Sequence, residues 1–386
     1  MSKNLWEPPR LRVGQDLEEE RRATWLELFF DLIFVVAIAE LGHTLSEDVS
    51  VNGFIGFVVL FAPVWWCWVG ATFYATRFDT DDLGQRLLTF TQMAIVASLA
   101  VNVHYGLSKT AIAFALSYAA FRSVLIIQYL NAGHHIPIAR PLSRWYAAGF
   151  GLGMLCWLLS IAVPAPWRFL LWLLGLVIDF MTPLTAGRLI QQVPPSLSHI
   201  PERMGLFVII VLGESVLSVV QGISGQVWTA PTVAISLLGL STAFSAWWLY
   251  FDSVDGSPLR AMGAGRPLQG LVWLYGHLPF VVGLGATGIG VGHAIKYATT
   301  AIPENDRWLL AVGAVLSLGA LALIHYLTCA SGMRKIRLAK YRLGSALAVL
   351  GVAIVGQNLS PVVFVGLIAL AYLVQVALGL RESRSL

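Results

Sequence analysis

The sequence predicts an all-α polytopic membrane protein of about twelve transmembrane helices. Three observations carry that prediction. Hydrophobic residues make up 57% of the 386-residue chain and charged residues only 12%, more apolar surface than a soluble fold of this length can bury. Apolar runs bounded by Gly, Pro or charge recur along the chain, each near the ~20 residues that a bilayer requires. Basic residues cluster in alternate connections between those runs.

The opening stretch, MSKNLWEPPRLRVGQDLEEERR, is polar and mixed in charge, with no apolar core leading to a small-residue cleavage site. It reads as a cytoplasmic tail over 1–24 rather than a signal peptide. A first six-helix half (25–190) follows, with spans at 25–44, 53–76, 86–106, 109–131, 144–163 and 167–188. The stretch 191–202, containing Pro194 and Pro195, is a short cytoplasmic linker. The second half (203–380) holds spans at 203–222, 230–251, 268–293, 307–329, 340–358 and 361–380, and 381–386 is a second cytoplasmic tail.

The charge distribution tests this division. With both termini in the cytoplasm, twenty Lys and Arg residues fall on the cytoplasmic side and four on the other, with Arg122 inside the fourth span. A missed or extra span would scramble that asymmetry, so the expected setting is a multi-pass protein of the inner (cytoplasmic) membrane.

A six-span internal repeat is also suggested. The stretches LELFFDLIFVVAIAEL at span one and PERMGLFVIIVLGESVL at span seven each carry two glutamates about twelve residues apart, and spans two and eight each contain a Trp pair, Trp65–Trp66 and Trp247–Trp248. Acidic loops follow both pairs, RFDTDD and YFDSVDG, and then Arg86 and Arg266 precede spans three and nine. Two such halves would share one orientation, related by an axis along the membrane normal.

The polar residues inside the spans carry the functional question. Glu27 falls near the cytoplasmic interface at a helix start, Asp31 one turn deeper, and Glu40 on the opposite face toward the outer side. Arg122, Asp179, Glu214 and His277 come out near the midplane, where an ionised group costs several kcal/mol unless paired or hydrogen-bonded. Arg122 and Asp179 read equally as an interhelical ion pair or as part of a polar cavity. Asp31 and Glu214 have no neutralising neighbour in sequence and are the favoured acids. His277 precedes Pro279, which frees a backbone carbonyl; a site histidine and a hydrogen-bonded core histidine both fit. His293 falls near the outer surface and reads as interfacial.

The loop RFDTDDLGQR could chelate Mg²⁺ or a diphosphate through Asp79, Asp81 and Asp82, but flanking Arg77 and Arg86 favour a solvated salt-bridge network. The three cysteines lie in apolar segments and offer neither a disulfide framework nor a zinc pattern. No P-loop, HExxH, GxSxG or dinucleotide fingerprint occurs, so no metal or cofactor is expected, and no nucleic-acid footprint is present.

The segments LELFFDLIFVVAIAEL (26–41), RFDTDD (77–82), HIPERMGLFVIIVLGESV (199–216), WWLYFD (247–252) and YGHLP (275–279) resemble the bacterial low-temperature-requirement A (LtrA) family of integral membrane proteins. The resemblance spans essentially the whole chain and singles out Glu27, Asp31, His199, Glu202, Arg203, Glu214 and His277. Because the family name records a growth phenotype, it implies an architecture and leaves the chemistry open.

Two functions follow from the residues. An intramembrane enzyme could cyclise a lipophilic prenylated or epoxidised isoprenoid, a carboxylic acid starting the reaction and aromatic faces stabilising the cations. Asp31 or Glu214 would be the acid and His277 or Glu40 an assisting base. Trp65, Trp66, Trp247 and Trp248 would wall the substrate cavity, with Arg122, Asp179, Glu27 and Asp252 as its polar contacts. Alternatively, the same groups would serve a proton-coupled transporter, and a stress-adaptation membrane protein is the plainest reading.

Overall fold

A computed structural model of the chain describes residues 7–11, 24–79, 82–195, 199–252, 267–328 and 333–384. Thirteen α-helices occur among the described residues, and twelve are long and apolar enough to cross a membrane. The first half contributes α1 (Trp25–Glu47), α2 (Val51–Arg77), α3 (Leu83–Val103), α4 (Ala111–His135), α5 (Arg140–Leu159), α6 (Trp167–Ala186) and the short α7 (Arg188–Gln192). Then come α8 (His199–Ile223), α9 (Ala230–Phe251), α10 (Pro267–Lys296), α11 (Glu304–Thr328), α12 (Met333–Val355) and α13 (Pro361–Arg384). The expected all-α membrane fold is therefore the observed one.

Local chemistry sets the helix ends that matter for the site. Thr24 and Glu27 form a capping box at the start of α1. The Glu27 amide donates to Thr24 Oγ1 at 3.2 Å, and the Thr24 amide donates to Glu27 Oε2 at 2.8 Å. Asp82 caps α3 by accepting from the Gln85 amide at 2.8 Å. Gly187, at φ 47°, separates α6 from α7.

The sequence reading placed the seventh span from 203, whereas α8 begins at His199. Pro201 looks like a breaker there, but it lies in the first helical turn, where its missing N–H removes no intrahelical bond. The shift puts His199, Glu202 and Arg203 on one rigid turn. Similarly, α12 starts at Met333 rather than 340, so the basic run after it is helical.

The chain divides into two compact units. The first comprises the described residues of 1–41 and 59–204, and the second those of 42–58 and 205–386. In the first unit α3 packs on α4, α4 on α5, and α5 on α6, while a two-residue antiparallel ladder joins Arg10–Leu11 to Phe78–Asp79. Trp157 and Trp172 stack at 4.6 Å in its core. In the second unit α9, α10, α11, α12 and α13 pack in a closed circuit, α13 returning to α9.

Helix α10 has the most buried apolar window of the twelve, at 83%. Its glycines make that possible. A Cβ on Gly292 would lie 2.5 Å from the Ser218 carbonyl oxygen of α8, and one on Gly222 would lie 2.6 Å from that of Gly292. Small residues let the two backbones touch, which in lipid replaces the missing hydrophobic drive to associate.

Candidate functional site

Two of the sequence motifs converge in the first unit. From α8, Arg203 donates through Nη1 and Nη2 to the two oxygens of Asp31 in α1, at 2.7 and 2.8 Å. From α2, the Trp68 indole N–H adds a third bond to Asp31 at 2.8 Å. Both ends of the pair are buried, the side chains being 3% and 7% exposed. Asp31 therefore does not stand alone, as its sequence neighbourhood suggested: its partner comes from 172 residues away, beyond the reach of local spacing.

One turn nearer the helix ends, His199 bridges two carboxylates. Its Nδ1 lies 3.3 Å from Glu202 Oε2, and its Nε2 lies 3.5 Å from Glu27 Oε1. The imidazole is fully buried, whereas the Glu202 side chain is 39% exposed. The row Glu202–His199–Glu27 thus runs from an exposed carboxylate to a carboxylate on the wall of a cavity.

That cavity has a volume of about 280 Å³. It is bounded by the first turns of α1, α3 and α8, the last turns of α2, and Gln128 of α4. Glu27, Arg86 and Arg203 supply its charged lining. Its aromatic lining comes from Trp25, Phe30, Tyr74 and Phe78. Two of the lining residues, Thr72 and Gln128, each carry a buried polar atom (Oγ1 and Nε2) with no hydrogen-bond partner among the described residues. Such orphaned polar atoms are costly unless a partner meets them. Its size is near the lower end for small-molecule sites.

The other expected site residues are distributed differently. Arg122, Asp179 and Tyr118 form a fully buried cluster in the first unit. Arg122 Nη2 donates to the Tyr118 hydroxyl at 2.7 Å, and that hydroxyl donates to Asp179. Arg122 Nε is 3.2 Å from Asp179 Oδ2, an ion pair without the alignment of a hydrogen bond. Neither ion lines the cavity, so the interhelical-pair reading describes them.

Trp65 and Trp66 are buried and pack on Phe180, with centroids at 6.4 and 4.6 Å, and likewise do not line the cavity. Trp247 is 39% exposed and stacks on Phe244 at 5.6 Å, while Trp248 is half-buried. The two pairs belong to different units, Trp65 and Trp66 to the first and Trp247 and Trp248 to the second. Glu40 is half-buried and Asp252 is exposed at the end of α9, and both lie outside the cavity lining.

His277 and Glu214 belong to the second unit. His277 Nδ1 donates to the Trp273 carbonyl at 2.6 Å, which leaves Nε2 to accept from the Tyr250 hydroxyl at 3.0 Å. Both ring nitrogens are engaged, as in a core histidine. Glu214 is buried with no hydrogen bond or ion pair among the described residues. Gly42 makes room for it: a Cβ there would lie 2.6 Å from Glu214 Oε1.

Of the acidic loop and its flanking residues, Arg77 and Asp82 are described with their contacts. Arg77 turns inward, 1% exposed, and donates to the Val193 and Phe73 carbonyls at 3.2 and 3.3 Å. Asp82 is occupied as a cap and also accepts from the Glu7 amide at 2.8 Å. Asp81 and the Asp79 side chain lie outside the described residues.

Comparison with known proteins bears out the family resemblance. The family described as bacterial low temperature requirement A protein (LtrA) matches residues 22–380. The chain belongs to this family. A relative from Rhizobium meliloti (strain 1021), described as an uncharacterized protein, is 27% identical over 292 residues, covering 72% of this chain and 71% of its own. No solved structure matches. Within this LtrA protein, sequence reasoning missed Trp68, Thr72 and Gln128. Trp68 stands one residue beyond the Trp-Trp-Cys run that drew attention, and its i,i+4 neighbour is Thr72, a signal that periodicity could have used.

Proposed function

We propose that this LtrA protein is a membrane enzyme that cyclises a lipophilic isoprenoid by proton addition, within the cavity at the ends of α1, α2, α3 and α8. The observation that carries the reading is the Glu202–His199–Glu27 row, which links an exposed carboxylate to one facing an aromatic-lined cavity. A carboxyl–imidazole–carboxyl chain can take a proton at one end and release one at the other by exchanging imidazole tautomers. The two contacts are long, at 3.3 and 3.5 Å, and catalytic hydrogen bonds often tighten only when substrate binds.

In this scheme Glu27 delivers a proton to an alkene carbon or epoxide oxygen. The π bond or C–O bond breaks, a ring closes on the resulting cation, and loss of a proton completes the product. Proton number and oxidation state are unchanged overall, so no redox partner takes part. Phe30, Tyr74 and Phe78 offer π faces to the cation. Arg86, Thr72 and Gln128 hold the polar end of the substrate, while Asp31 balances the charge of Arg203. The acid role thus moves from Asp31 to Glu27, and Asp31 becomes a positioning residue.

The charge asymmetry of the connections supports an inner-membrane topology with cytoplasmic termini, which puts the cavity mouth on the cytoplasmic side. A second reading, proton-coupled transport of a small solute, is favoured by one observation: Glu214 is a buried carboxylate without a partner among the described residues. Membranes containing the protein, incubated with polyprenyl and epoxyprenyl substrates, test between them. Cyclised product that disappears in Glu27→Gln and His199→Gln but persists in Glu214→Gln supports the enzyme. No product, together with pH-driven solute uptake in proteoliposomes that Glu214→Gln abolishes, supports the transporter.

A further inference from the structure

A second constellation stands in the second unit, on residues that the proposed cyclisation does not use. Ser46 lies in the last turn of α1, His293 in the last turn of α10, and Asp306 in the first turn of α11. Ser46 Oγ is 2.7 Å from His293 Nε2, and His293 Nδ1 is hydrogen-bonded to Asp306 Oδ1. A carboxylate only accepts, so Nδ1 carries the proton and Nε2 presents its lone pair to the Ser46 hydroxyl. Asp306 is buried at 4% exposure, His293 is largely buried, and Ser46 remains half-exposed. The order is that of a nucleophile, a base and an orienting acid, with the nucleophile on the accessible side.

Chance polar contacts at helix ends seldom reproduce all of these features. A cap needs one side-chain oxygen and a backbone amide; here three side chains from three helices are chained in one direction. Among the described residues Ser46 makes no bond to a helix carbonyl of its own turn, unlike Ser117, Ser123 and Thr182, which bond back to the carbonyl four residues earlier. Its hydroxyl is spent on the imidazole instead.

We propose that Ser46, His293 and Asp306 form a nucleophilic triad that cleaves carboxylic esters of amphiphilic lipids at the membrane–water interface. In the first step Ser46 Oγ bonds to the ester carbonyl carbon as its proton passes to His293 Nε2. The carbon–alkoxy bond then breaks, and the same proton leaves with the alcohol. Water, deprotonated by His293, attacks the acyl-serine, releases the carboxylic acid and restores Ser46. The charge asymmetry of the connections assigns this end of α1 to the outer face.

The test is labelling of the full-length protein in native membranes with an alkyl fluorophosphonate, the modified residue being mapped by peptide mass spectrometry. Wild-type protein should be labelled at Ser46. Ser46→Ala should abolish the label, and His293→Gln and Asp306→Asn should slow it at least about 100-fold. Thermal unfolding in detergent separates chemistry from structure: a merely structural network would lower the midpoint in all three variants while the folded wild type stays unlabelled. Absence of Ser46 labelling in wild-type protein with an intact unfolding transition overturns the proposal, and so does labelling that survives His293→Gln unchanged. Because no residue is shared with the cyclisation site, Glu27→Gln should leave the labelling rate unaltered.

Discussion

Arg203→Gln removes two of the three donors that hold Asp31, leaving only the Trp68 indole at 2.8 Å. Asp31→Asn is the converse change, leaving a guanidinium that is 3% exposed without its counter-ion. Breaking one side of a buried pair strands the other charge in a low-dielectric interior, at a cost of about 3–5 kcal/mol. With both side chains this buried, solvent gives little discount. The double variant Asp31→Asn/Arg203→Gln is neutral, and its amides can still hydrogen-bond across the same gap. It should therefore cost less than the two single changes together, with a coupling of about 2 kcal/mol or more, toward the upper part of the range for contacting residues. Equilibrium unfolding of the four proteins in mixed micelles, followed by tryptophan fluorescence, measures the cycle. If the two single changes add to within about 0.5 kcal/mol, the residues are not paired in the folded protein and the site geometry is wrong.

Other consequences are more local. Tyr118→Phe deletes the hydroxyl that both accepts from Arg122 and donates to Asp179 in a cluster with no exposure, so stability should fall by about 1–3 kcal/mol in the same unfolding assay. Gly292→Ala drives a methyl against the Ser218 carbonyl, a backbone atom that cannot swing aside, and should destabilise by about 1–3 kcal/mol. Gly351→Ala, with nothing within 4 Å of the new methyl, should be neutral or stabilising by up to about 1 kcal/mol. Asp82→Ala removes the acceptor for the Gln85 and Glu7 amides and should cost about 1 kcal/mol, seen as faster amide hydrogen exchange in the first turn of α3.

The spans were legible because a bilayer leaves few choices: every backbone group must be satisfied within a helix, and hydropathy and loop charge report where helices begin and end. Helix ends were less legible where one residue plays two parts. Pro201 breaks a helix in most contexts but starts one here, and this single ambiguity hid the fact that His199 and Glu202 share a turn with Arg203. Site residues were legible as types and not as partners. Asp31 stood out because an acid in lipid is expensive, yet its relief comes from Arg203, far off in sequence. The two Trp pairs read alike along the chain, yet Trp65 and Trp66 face inward and Trp247 faces out, since which side of a helix is covered is decided by its neighbours. The Ser46–His293–Asp306 row was invisible for the same reason, its members separated by up to 260 residues.

The central claim is that Glu27 passes a proton from the His199 row to a substrate in the cavity. Incubating wild-type membranes with a polyprenyl substrate in D₂O tests it most directly, with the product analysed by mass spectrometry. The account predicts a cyclised product carrying one non-exchangeable deuterium on carbon, absent from Glu27→Gln membranes and recovered in Glu214→Gln membranes. Product formed without carbon-bound deuterium, or formed equally by Glu27→Gln, would contradict it.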